Sequence, residues 1–177
     1  GRLFVSFLSQ LFTKRNLTYG YYNVFHRFFA IVGLLTEYNS YLMGRRFYYR
    51  NSIKSCPKHP YIVLFLNRRP EANHSPHSGP YIDDLRILQI LVEATTTLSC
   101  DIIVKEHPNT FRLGFNPGSL VSIPRYLNML SISSRVKLFH PSVLDPHFSS
   151  ECIAVASSSQ SAGLEACLAN KKTIVFG

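Results

Sequence analysis

Tyr61-Ile62-Val63-Leu64-Phe65-Leu66 is an unbroken apolar run between Pro60 and the polar Asn67-Arg68-Arg69. The run is too short for a stable helix and shows none of the polar alternation of a half-exposed strand. It therefore predicts a strand covered on both faces, the usual condition of a parallel sheet. Shorter apolar segments of the same kind recur at 101–104, 136–139, 152–156 and 173–176. Helical patterns lie between them. Over 83–97, Leu85, Leu88 and Val92 share one face, with Asp83 and Asp84 in the first turn where the helix dipole favours acids. Tyr126, Leu127 and Leu130 mark a second helix, 142–148 reads as a short helical turn broken by Pro146, and 161–169 reads as a third helix. Strands alternating with helices predict an α/β fold: a Rossmann-like parallel sheet of five strands, half of a doubly wound enzyme.

Residues 1–57 differ from the rest. Residues 1–60 hold nine Lys or Arg (Arg2, Lys14, Arg15, Arg27, Arg45, Arg46, Arg50, Lys54, Lys58) against the single acid Glu37. Residues 61–177 hold ten basic and nine acidic residues, so all but one unit of the net charge of +9 belongs to the first segment. Two helical stretches are expected there, one around Phe25, Phe28, Phe29 and Val32 and one over 38–50. Cys56-Pro57-Lys58-His59-Pro60 is a breaker cluster and the expected domain boundary. The basic, aromatic segment suggests an anionic neighbour such as a membrane surface. A nucleic-acid partner is not expected, because basic and acidic residues nearly balance over 61–177. The longest apolar run, 28–35, is well short of the roughly 20 residues of a membrane span. Cys56, Cys100, Cys152 and Cys167 form no CxxC pair, which fits a reducing cytoplasm. The chain does not begin with Met and stops just after an apolar strand, so it reads as a fragment.

In an open α/β sheet, ligands bind beyond the carboxyl ends of the strands. Three polar clusters fall there. Pro70-Glu71-Ala72-Asn73 follows the first strand, and Glu71 could act as a general base on an acceptor hydroxyl. His74 and His77 lie near it, but their spacing matches no zinc pattern, and no metal is expected. Lys105-Glu106-His107-Pro108 follows the second strand. Pleat alternation places Lys105 and His107 on one side and Glu106 on the other. His107 could donate to a phosphate oxygen or serve as an acid near neutral pH. Ser157, Ser158, Ser159 and Ser161 lead through Gly163 into the last helix, whose unpaired N–H groups and dipole suit a phosphate. Glu165, expected in its first turn, could accept from ribose hydroxyls. Each cluster alone has an ordinary structural explanation, and their convergence on one edge carries the functional reading.

Together these clusters resemble the capsule polysaccharide biosynthesis proteins. The matching elements are Pro-Glu-Ala at 70–72, Gly-Pro-Tyr-Ile-Asp-Asp at 79–84, Val-Lys-Glu-His-Pro at 104–108, Arg-Tyr at 125–126, the Ser-rich Gly163-Leu164-Glu165-Ala166 start, and Lys-x-Ile-Val-Phe-Gly at 172–177. Where those proteins usually carry Gly-Lys-Pro, this chain has Asn170-Lys171-Lys172. The family is similar to GT-B-fold glycosyltransferases, including the capsule Kdo transferases. The resemblance implies that 58–177 is the nucleotide-sugar-binding half of such an enzyme, with 1–57 a remnant of, or linker to, another domain, and that the fragment is inactive by itself because the acceptor site and catalytic base belong to the missing half. It implies that Lys105, His107 and Pro108 contact the donor phosphate, commonly from a CMP-sugar, that the serines help hold it, and that Glu165 meets the ribose. The acceptor would be a growing capsular or surface polysaccharide or glycolipid, and the site would be cytoplasmic at the inner membrane face. A sugar-nucleotide epimerase of the same architecture, or a non-catalytic polysaccharide- or membrane-binding protein, are the alternative expectations.

Overall fold

The computed structural model describes residues 22–66, 81, 83–107, 109–112, 120–143, 149–158 and 161–176. The chain divides into two compact units, Gly1–Asn39 and Ser40–Gly177. The described part of the first unit is the beginning of helix α1 (Tyr22–Asn51), a single helix of 30 residues where two shorter ones are expected from the sequence. No proline interrupts residues 22–51. Gly33 costs a helix about 1 kcal/mol, too little to break one of this length. The Ser52 hydroxyl donates to the Tyr48 carbonyl and closes the last turn.

The second unit is built on a six-stranded sheet. Its strands are β1 (Ser52–Ile53), β2 (Tyr61–Phe65), β3 (Asp101–Lys105), β4 (Val136–Phe139), β5 (Cys152–Ser157) and β6 (Lys172–Val175). They lie in the order β1-β4-β3-β2-β5-β6, every neighbouring pair parallel. The five expected strands are present. β1 is a two-residue edge strand, too short to show any periodicity. Residues 40–53, which the sequence places in the N-terminal segment, belong to this unit: Tyr41 and Tyr48 of α1 sit in its core and β1 extends its sheet.

Both faces of the sheet are covered, which is why β2 is buried at all five positions. On one face Ile62, Leu64, Ile102, Val104, Leu138, Ala154 and Ala156 pack beneath α1, helix α2 (Asp84–Ala94) and helix α4 (Ile123–Ile132). The short helix α3 (Asn109–Arg112) adds Phe111 to that core. On the other face Tyr61, Val63, Phe65, Ile103, Phe139 and Val155 pack against Ala162 and Ala166 of helix α5 (Ser161–Leu168). From β2 the sheet grows through β3 to β4 with helices on the first face. The chain then returns to the far side of β2 and grows through β5 to β6 with α5 on the second. This is a doubly wound, Rossmann-like arrangement, and the growth direction reverses between β2 and β5.

Local chemistry fixes the helix ends. Asp83 caps α2 by accepting from the Leu85 N–H at 3.0 Å. Ser122 caps α4 by accepting from the Arg125 N–H at 3.4 Å, with Pro124 in the first turn. Crossover helices start at the carboxyl edge of the sheet, so these caps bring Asp84 and Arg125 there. At the other end of α2, the Arg135 guanidinium donates to the Thr95 carbonyl at 2.8 Å and the Val92 carbonyl at 2.9 Å, a cation on orphan helix carbonyls. α5 ends in a Schellman turn. Asn170 takes a φ of 57° there while the Lys171 N–H reaches back to the Ala166 carbonyl.

Candidate functional site

The carboxyl ends of β3, β2 and β5 are neighbours, with Phe65 level with both Lys105 and Ser157. The ends of β3 and β5 are therefore two strand spacings apart, about 10 Å. The loop after β2 holds Glu71, which lies outside the described residues, as do His74, His77, Pro108 and Ser159. The remaining sequence-predicted residues can be placed individually.

Lys105 is 6 % exposed. Its ammonium donates to the Val143 carbonyl at 3.2 Å and lies 5.8 Å from the ring centres of both Phe65 and Phe139. It is on the α5 side of the sheet, and Glu106 is on the opposite side, as pleat alternation requires. β3 ends at Lys105, so the pleat does not set His107. The turn into α3 does: His107 Nδ1 accepts from the Asn109 N–H at 3.2 Å, and its carbonyl accepts from the Thr110 N–H at 2.9 Å. An accepting Nδ1 leaves the proton of the neutral ring on Nε2.

Ser157 and Ser158 are 1 % and 2 % exposed. Ser157 Oγ faces Gly163, where an added Cβ would lie 2.7 Å from it. Gly163 thus allows α5 to approach the end of β5 closely, the role a glycine plays in helix–strand packing of dinucleotide folds. The Ser157 carbonyl accepts from the Phe176 N–H at 3.0 Å. Ser161 is the first residue of α5. Glu165 is exposed and is the fifth residue of that helix, so it lies one residue beyond the first turn in which the sequence expectation put it. α5 begins at Ser161, as expected, and a turn holds about 3.6 residues, so the fifth position falls just past the first turn.

A second set of polar side chains meets under the β3–α3 turn. Glu106 is 2 % exposed and Asp84 3 %. Arg125 bridges them, donating through Nη1 to Glu106 Oε1 and through Nη2 to Asp84 Oδ2 at 2.9 Å. The Tyr126 hydroxyl donates to Glu106 Oε1 at 2.9 Å, and the Thr110 hydroxyl to Glu106 Oε2 at 3.4 Å. The Tyr48 hydroxyl accepts from the Glu106 N–H at 3.1 Å and donates to the Phe139 carbonyl at 2.8 Å. Four elements of the first face are tied to the end of β3 by this network. Burial by itself would lower the Arg125 guanidinium, but the Glu106 and Asp84 carboxylates outweigh it and hold it above its ordinary value. Burial and then the Glu106 charge push the Tyr126 and Tyr48 phenols well up, so both remain neutral donors.

Glu106, Asp84 and Arg125-Tyr126 all stand within the sequence motifs, yet no role attached to them. The available signal was Tyr126 on the apolar face of its helix with Arg125 beside it. Tyr48 had none, being one of many aromatics before residue 57. No group of three His, Cys, Asp or Glu among the described residues is arranged to hold a metal ion.

These features define a class: a Rossmann-like α/β fold on a parallel sheet, with polar residues gathered at its carboxyl edge. Among the described residues no helix is long and apolar enough to cross a membrane. No protein-family model matches the chain, and no curated protein matches it.

Proposed function

We propose that the chain is the donor-binding half of a glycosyltransferase that moves a sugar from a nucleotide donor, a CMP-sugar in preference, to a growing capsular or surface polysaccharide. The observation that supports this reading is the position of His107 and of Ser157, Ser158 and the α5 start at Ser161: they flank β2 at the point where sheet growth reverses, the usual nucleotide position of this architecture. A phosphate at that edge would meet the His107 ring and the first N–H groups of α5, with the Lys105 charge beneath it. Helix dipole and basic groups neutralise a phosphate without a metal. Glu165 on the exposed side of α5 is the candidate for the ribose hydroxyls, and Glu71 for a general base toward the acceptor. The basic N-terminal segment would rest on the inner face of the cytoplasmic membrane, a reading supported by exposed Phe28, Phe29 and Leu35 close to Arg27 in α1.

Calorimetric titration of the chain with CMP, UDP and ADP tests the reading. CMP at one hundred times its dissociation constant should stabilise the fold by about 2.7 kcal/mol. Absence of binding by all three nucleotides would sink the nucleotide-sugar proposal.

A further inference from the structure

The donor reading assigns work to His107, but the groups that hold its turn lie one layer below. Resting on that reading, the geometry points to Arg125 as the positioning residue of the site, fixing the His107 ring from beneath through Glu106 and Thr110 without touching a ligand. The path is continuous. Asp84 and Glu106 accept from the two ends of one planar guanidinium, so Arg125 fixes where the Glu106 carboxylate lies. That carboxylate accepts from the Thr110 hydroxyl at 3.4 Å. Thr110 and its neighbour Asn109 form the start of α3, and their N–H groups bind the His107 carbonyl and Nδ1. The ring therefore receives both its orientation and its tautomer from a turn that is held by a buried carboxylate. Tyr48 completes the clamp from the other end of Glu106, its hydroxyl accepting from the Glu106 N–H. A single forked cation serves two carboxylates on two different elements, which a lysine ammonium cannot match in geometry.

Two variants test this. Arg125→Lys keeps the charge and loses the fork. The triple change Asp84→Asn, Glu106→Gln and Arg125→Met removes the three charges together, so that no unpaired ion remains in the interior and the fold is retained. The primary readout is the long-range nitrogen–proton NMR spectrum of the His107 ring, which reports its tautomer without any ligand. In the wild-type chain one tautomer, protonated on Nε2, should dominate. In both variants the ring should populate a mixture, and CMP affinity should fall about tenfold or more, the usual scale for groups that orient a binding residue from behind. Unchanged ring signals in either folded variant overturn the inference, and so does an altered ring with wild-type CMP affinity. If the wild-type chain binds no CMP at all, the donor reading falls, while the ring spectra still decide the role of Arg125.

Discussion

Replacing Gly163 by alanine isolates the contact through which α5 packs on the end of β5. The new Cβ would sit 2.7 Å from Ser157 Oγ, 3.4 Å from Thr173 Cγ2 and 3.9 Å from Val175 Cγ2. The last two are ordinary contacts. The first is well inside the approach of about 3.3 Å normal for carbon and oxygen. Overpacking of this kind costs about 1–3 kcal/mol. Alanine in place of glycine within a helix returns about 1 kcal/mol. Gly163→Ala alone should therefore be neutral to about 2 kcal/mol destabilising. In a Ser157→Ala background the clashing oxygen is gone, and the same change should stabilise by about 1 kcal/mol. The coupling energy of the pair is then about 1–3 kcal/mol, readable from urea denaturation of the four proteins with a common m-value. Additive effects, or an equal loss in both backgrounds, would refute the packing of α5 on the end of β5 through this pair.

Gly44 is packed even more tightly, an added Cβ lying 2.6 Å from both the Cα and the N of Ser122. Backbone cannot swing aside, so Gly44→Ala should lower stability by at least about 2 kcal/mol in the same denaturation assay, despite its helix propensity. At Asn170, φ is positive, and glycine is the less strained residue. Asn170→Gly should raise stability by about 0.5 kcal/mol or leave it unchanged, while Asn170→Ala should lower it by about 1 kcal/mol. The neutral Tyr48 and Tyr126 phenols give a pH signature. Their folded values lie above the ordinary 10.0, so the folded chain keeps protons that the unfolded chain releases. That stability is fully present below about pH 10 and is lost as pH rises, at about 1.4 kcal/mol per pH unit for each tyrosine. Denaturation midpoints should hold from pH 8 to about 10 and fall from there to pH 11, and Tyr126→Phe should shallow the fall.

The parallel sheet was legible because burial on both faces leaves strands with no polar residues to interrupt them, as in 61–66. Helices α2 and α4 were legible for a related reason: Leu85, Leu88 and Val92 recur on one face of the first, and Tyr126 and Leu130 at helical spacing in the second. What escaped notice depended on contacts distant in sequence. The edge strand Ser52–Ile53 is defined only by its pairing with β4. The continuity of α1 was hidden because its first half presents large apolar side chains to solvent, so no single face stands out. The carboxyl edge could be anticipated from where polar clusters follow strands. The Asp84–Arg125–Glu106 network could not, because Asp84 alone is indistinguishable from an acid that suits a helix dipole, and Arg125 alone from a surface cation. Their meaning comes from crossover helices that begin at the same sheet edge. Ser157 shows the converse: a small polar residue in the right loop turns out to face a glycine of the helix that follows it.

The proposed donor site puts a nucleotide phosphate at the carboxyl edge of the sheet, over β2 between the ends of β3 and β5. The most direct measurement is the amide NMR spectrum of the chain during titration with CMP. The account predicts the largest changes at Leu66, Lys105 to His107, Ser157 and Ser158, with α1 nearly silent. Saturable changes confined to residues away from that edge, or none at concentrations that saturate ordinary nucleotide sites, would contradict it.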